Sequence, residues 1–122
     1  MDQRAGKTFR LARRKDIDNV FATGRSVRDS LLTIVGLPNG RPHARCGVGV
    51  SKRHGPAVRR NRVKRLCREA FRLSRQHVMP GWDYMILPRV SPRLELTAIQ
   101  DSIVALAQRL TAGRGGEREA GK

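Results

Sequence analysis

Hydrophobic residues change their spacing along this chain, and the changes mark its elements. In the segment RRKDIDNVFATG (13–24), Ile17, Val20 and Phe21 fall at i, i+3 and i+4, and Gly24 supplies a stop, so a short helix is expected. SVRDSLLTIVGL (26–37) is rich in β-branched and aliphatic residues and reads as one strand, closed by a turn centred on Asn39-Gly40. In ARCGVGVSKR (44–53), Cys46, Val48 and Val50 alternate with Gly47, Gly49 and Ser51, the pattern of a second strand with one face nearly bare. Such a face either packs closely against a helix or leaves room for a ligand backbone. HGPAV breaks the strand, and Pro56 suits the opening turn of a helix that should run over 57–76. After the MPG breaker, WDYMILP (82–88) is a third strand. A last helix is expected from about Leu96, with Ile99, Ile103, Leu106, Ala107 and Leu110 on one face.

The resulting α-β-β-α-β-α order predicts an α+β fold, a small sheet with helices packed on one face. One domain over 1–112 accommodates it, with residues 1–12 as a basic mobile arm and 113–122 as a Gly-rich, charged, disordered tail. The apolar fraction is 39% and aromatics are only 4%, so the core should be small and aliphatic.

Charge changes the picture most. The 26 Lys and Arg against 10 Asp and Glu give a formal charge of +16, a self-repulsion that a polyanion would relieve. Nucleic acid is the leading partner class and an anionic membrane surface the second. The longest apolar run, LLTIVGL, is too short to span a bilayer, and the basic N-terminus has no apolar core of a secretory signal. Cys46 and Cys67 are not spaced as a metal pair with His43, His54 or His77, and read as reduced, buried thiols.

The basic residues concentrate in AVRRNRVKRLCREAF (57–71), where Glu69 is the sole acid. On a helical wheel Val63, Leu66, Cys67 and Ala70 share one side, with Phe71 near its edge. Lys64, Arg68 and Arg72 fall at i, i+4 and i+8 on another side, extended by Asn61, Arg62 and Arg65. Like charges at i, i+4 cost about 0.2–0.5 kcal/mol per pair, which a polyanion would reverse. Arg suits phosphate because its planar fork makes paired hydrogen bonds. A solvated basic face is the bland alternative, but such faces usually mix signs. No helix-turn-helix or zinc pattern accompanies the helix, which favours RNA over DNA.

Nuclease chemistry in the protein itself has little support. Asp16, Asp18, Asp29, Asp83 and Asp101 are scattered, without the carboxylate cluster a metal-dependent nuclease needs. His43 and His54 flank the second strand and are the one candidate acid–base pair.

The stretch GVGVSKRHGPAVRRNRVKRLCREAFR closely resembles the signature of the bacterial ribonuclease P protein subunit. LARRKDIDNVFATGRSV resembles that family's first helix and following strand, and DYMILPR its later strand; together the resemblance spans about residues 9–110. It implies a left-handed βαβ crossover, against the usual right-handed rule. It also implies a cytoplasmic ribonucleoprotein endonuclease, one protein per RNA and with no membrane partner, in which the RNA subunit removes the 5′ leader of precursor tRNA using Mg2+. The protein would bind the catalytic RNA and the leader and hold no catalytic residue.

By the same resemblance Arg60, Asn61 and Arg62 match the family's Arg-Asn-Arg motif, and Lys64, Arg65 and Arg68 its basic continuation, all toward the catalytic RNA. Ser51, Lys52 and Arg53 match a strand end beside the leader cleft, and Phe21 an aromatic of that cleft. Ile17 and Val35 stand where the family often has further aromatics, and Pro56 where it commonly has Asn. Phe21 has two readings, core residue of the Ile17–Val20 stripe or leader contact. A noncatalytic RNA-binding module of ribosomal or chaperone type is the alternative function.

Overall fold

The computed structural model describes residues 9–91 and 94–112. Residues 1–8 of the arm expected over 1–12, and the tail expected over 113–122, lie outside the described residues. The elements are α1 (Arg14–Thr23), β1 (Arg25–Arg28), β2 (Leu32–Pro38), β3 (Arg45–Val48), α2 (Ala57–Ser74), β4 (Trp82–Pro88) and α3 (Leu96–Thr111), with 3-10 turns at Lys52–His54 and Arg75–His77. They form an α+β fold around a four-stranded mixed sheet of order β1-β2-β4-β3. β2 pairs antiparallel with β1 and β4, while β3 runs parallel to β4, so α2 is the crossover between two parallel strands.

The stretch expected as one strand over 26–37 is two. Asp29 breaks it: its Oδ1 accepts from the backbone N–H of Leu31 at 2.8 Å and of Leu32 at 2.9 Å, and its own N–H donates to the Leu32 carbonyl at 2.9 Å. That side-chain mimic of a turn folds the chain back into a hairpin. β-branched residues on both sides gave the segment one continuous strand propensity, which hid the break.

Strand alternation divides the sheet into two faces. On one, Val27, Ile34, Cys46, Val48, Tyr84 and Ile86 meet Val63, Cys67, Ala70 and Phe71 of α2 and Ile99, Ile103, Leu106, Ala107 and Leu110 of α3. The α3 stripe is the one the periodicity predicts. On α2 the roles of two residues exchange: Phe71 is buried, tilted against Tyr84 at 5.9 Å, and Leu66 is only half-buried. The opposite face carries a smaller cluster of Leu11, Val20, Val35 and Met85, with Ile17, Leu37 and Leu87 packed against it. The expectation of helices on one face therefore holds for α2 and α3 but not for α1. α1 packs on the other side because its Ile17–Val20 stripe meets the outward set of β2 and β4.

The bare face of β3 is not covered by a helix as expected: an extended segment of the chain itself packs against Gly47. A side chain at Gly47 would strike the Leu11 carbonyl at 2.8 Å and the Met85 sulfur at 2.6 Å. The segment lying there is extended: Arg10 bridges to Cys46, and the Leu11 N–H donates to the Cys46 carbonyl at 2.9 Å. The arm expected through residue 12 thus gives way to fixed structure by Phe9–Leu11, since Leu11 is only 2% exposed. Gly49, beyond the reach of that segment, lines an open groove.

Candidate nucleic-acid interface

α2 turns its apolar stripe to the sheet, and this aims its basic residues outward. Asn61, Lys64, Arg65, Arg68, Arg72 and Arg75 line one groove of about 610 Å³. Its other wall is the N-terminal segment, through Phe9 and Arg10. Phe9 is held in place by the Arg75 guanidinium, 3.9 Å from its ring centre, and by an edge contact with His43 at 4.9 Å.

The charges in this groove are poorly compensated. Glu69, the acid of α2, is taken up by Arg72 through two hydrogen bonds of 3.2 and 2.7 Å. The Arg68 Nε is buried and has no hydrogen-bond partner among the described residues. Burial, together with the nearby positive charge of Arg10, pushes the Arg68 guanidinium below its ordinary pKa. An unmet donor among like charges is stabilised by an incoming anion. Arg10 and Arg75 were not legible as members of this site, because they come from sequence-distant segments that the β3 bridge and the end of α2 bring together. Arg60 is half-buried and Arg62 exposed on the same helix, and neither lines the groove.

A second groove, about 830 Å³, opens on the α1 side of the sheet. Thr33, Gly49 and Leu87 contribute to its lining, with Ser51 and Arg53 from the strand end and Arg89 after β4. Ser51 shapes the rim: its Oγ accepts from the Arg53 N–H at 3.2 Å, opening the Lys52–His54 turn. Lys52 is exposed on that turn without lining the groove. Ile17 and Val35, expected at the cleft, are packed together under α1, with Val35 only 7% exposed, so Val35 supports the surface instead of presenting to it. Phe21 is 47% exposed and belongs to neither core cluster.

The histidines do not form the acid–base pair considered from the sequence. His54 is buried, its Nε2–H donating to the Pro88 carbonyl at 3.0 Å, while His43 meets Phe9. Both cysteines are free and buried, and burial pushes the Cys67 thiol up to about 12, away from thiolate chemistry. Among the described residues no three His, Cys, Asp or Glu side chains gather where a metal ion would sit. No described helix is long and apolar enough to cross a membrane.

A family model described as Ribonuclease P matches residues 6–111. The ribonuclease P protein component of an Exiguobacterium species is 42% identical over 91 residues, covering 75% of this chain and 78% of that protein. That of Roseiflexus castenholzii is 38% identical over 109 residues, covering 89% and 88%. Among solved structures, the RNase P protein from Thermotoga maritima superposes with a TM-score of 0.75 at 28% identity, covering 82% of this chain and 96% of that one. The Staphylococcus aureus RNase P protein gives 0.71 at 27% identity, covering 83% and 94%. With its signature helix, its mixed sheet and this family match over nearly the whole described length, the chain belongs to the bacterial ribonuclease P protein family.

Proposed function

We propose that the groove on α2 holds the catalytic RNA and that the groove on the α1 side of the sheet holds the 5′ leader of precursor tRNA. The chain is the protein component of a ribonucleoprotein endoribonuclease, and it assists the RNA subunit in removing the leader to give the mature tRNA 5′ end. Its partners are the ribonuclease P RNA and precursor tRNA. The holoenzyme depends on Mg2+, bound mainly by the RNA. Among the described residues the carboxylates are too scattered to fit a metal centre, so no step is assigned to the protein through the ion.

The observation that carries the first assignment is the uncompensated charge of the α2 groove, centred on Arg68 and Arg10. Arg60 and Arg62 extend the contact along the same helix, outside the groove. For the leader, Ser51, Lys52 and Arg53 supply hydrogen bonds and charge at one rim, Phe21 an exposed aromatic on α1, and Ile17 and Val35 the support beneath it. The single domain spans 1–112, and it acts in the cytoplasm, where bacterial ribonuclease P proteins are generally found.

The test is reconstitution with the cognate catalytic RNA and a 5′-extended tRNA. The protein should stimulate leader removal at low Mg2+ and be inactive without the RNA. Normal RNA binding with no stimulation would instead indicate a noncatalytic RNA-binding module.

A further inference from the structure

α1 is the one described helix on its face of the sheet, and its apolar anchor is small. Val20 is buried and Ile17 partly so, and the helix has no side-chain cap at its N-terminus. A polar network reaches it from below. Asp83 of β4 is buried and accepts from three donors: Asn39 Nδ2 and Arg45 Nε at 2.8 Å on Oδ1, and Arg45 Nη2 at 2.7 Å on Oδ2. Asn39 Nδ2 also donates to the His43 carbonyl at 3.3 Å, which ties in the turn before β3. The same Arg45 Nη2 donates to Asp16 Oδ2 at 3.3 Å. Asp16 is in the first turn of α1, next to Ile17 and about one turn before Phe21.

The Arg45–Asp83 pair by itself joins two adjacent strands already in register. Its orientation leaves one guanidinium nitrogen shared with the helix. The side chains of Arg45 and Asp16 are 12% and 32% exposed, so this is a partly desolvated link and not a loose surface pair. Asp18, by contrast, pairs with Arg14 within the helix at 3.8 Å, with side chains 69% and 81% exposed, and has no ion pair with another element among the described residues.

We propose that Asp16 and Arg45 are positioning residues for precursor recognition: Arg45, fixed by Asp83, holds α1 through Asp16 and so sets how Phe21, an exposed α1 side chain outside the groove lining itself, is presented to the leader. Neither residue lines either groove. The inference rests on the leader reading given above, and the two fail separately.

The experiment uses the full chain reconstituted with its catalytic RNA, and compares affinity for precursor tRNA with affinity for mature tRNA. Asp16→Asn takes the charge out of the link and leaves Arg45 on Asp83. Asp18→Asn makes the same change in net charge on the same turn without touching the link. Asp16→Asn should lower the precursor-to-mature affinity ratio about two- to fivefold, the range of a single partly exposed ion pair. Asp18→Asn should leave the ratio unchanged, and Asp16→Glu, which keeps the carboxylate, should retain it. A structural weakening alone would lower the melting temperature and spare the ratio. In combination with Phe21→Ala, Asp16→Asn should add nothing, because it acts through the same helix. If Asp16→Asn matches Asp18→Asn while Phe21→Ala lowers the ratio, the positioning role is overturned and the leader reading stands. An unchanged ratio for Phe21→Ala overturns the leader reading itself.

Discussion

Replacing Phe21 by Ala separates a core role from a binding role by magnitude. A fully buried Phe costs about 3–5 kcal/mol when truncated, through lost transfer and the cavity left behind. Phe21 is 47% exposed and lies outside both clusters, while its neighbour Val20 is 1% exposed and does the packing. Only part of the ring's transfer free energy is therefore at stake, and no enclosed cavity would result. The expected loss of folding stability is about 1 kcal/mol, half of the roughly 2 kcal/mol for burying such a side chain completely.

The binding effect should be larger than the folding effect. An aromatic under a nucleobase contributes about 1–3 kcal/mol. The holoenzyme carrying Phe21→Ala should then lose roughly tenfold in affinity for precursor tRNA and almost nothing for mature tRNA, which has no leader. Chemical denaturation of the protein and equilibrium binding of both tRNAs, on one preparation, give the two numbers. A stability loss above about 3 kcal/mol with an unchanged precursor-to-mature ratio would refute the reasoning and return Phe21 to the core.

If about six basic side chains meet phosphates, affinity for the catalytic RNA should fall roughly a thousandfold between 50 and 200 mM salt; a flat response, measured by equilibrium binding, would remove the electrostatic account. Arg10→Ala should weaken assembly with the catalytic RNA about as much as Lys64→Ala, each by roughly 1 kcal/mol, with circular dichroism unchanged, because both side chains line one groove. Replacing Arg60, Arg62 and Arg65 together by Ala should weaken the same assembly without lowering the melting temperature, since none lies on the buried Val63–Cys67–Ala70 stripe. Asp29→Ala should cost about 1 kcal/mol by leaving the Leu31 and Leu32 N–H groups without their acceptor. Burial would raise the Asp29 pKa, but those two N–H groups, the Ser102 hydroxyl and the charge of Arg109 outweigh it and hold the carboxyl below its ordinary 3.8. The contribution of its charge is therefore present above pH 3.8 and lost as pH falls through the lowered value, so the stability gap between the two proteins should narrow in acid melts.

Legibility in the sequence followed how local each cause was. The α3 stripe and strand 82–88 could be read because period and breakers lie within the segment itself. The hairpin at Asp29 could not, since one carboxylate turning back on two N–H groups leaves only an Asp-Ser pair as its trace. The ordered segment Phe9–Leu11 had no local signal: its conformation depends on Cys46 and on the space left by Gly47, over thirty positions away. For the same reason α2's basic residues were legible as one face of a helix, whereas the wall opposite them, Arg10 and Phe9, was not. Family resemblance placed Val35 at a cleft surface, yet pairing with α1 buried it; a position can be shared in sequence while a smaller side chain sinks beneath its neighbours.

Five of the ten acids are engaged in local contacts, which limits what can neutralise the basic groove. Asp83 and Asp16 hold Arg45, Asp29 caps a turn, Glu69 holds Arg72 and Asp18 pairs with Arg14. Each of these carboxylates is committed to a local structural contact. Arg10, Lys64, Arg65, Arg68 and Arg75 line a common groove that also contains Glu69, whose two oxygens are already engaged. Removing charge from this groove would relieve repulsion and is thus expected to stabilise the free protein, whereas keeping it raises the affinity for a polyanion. A groove selected for stability alone would have placed an acid opposite Arg68. Its buried Nε, without a partner among the described residues, is the donor that the proposed contact with phosphates of the catalytic RNA would satisfy.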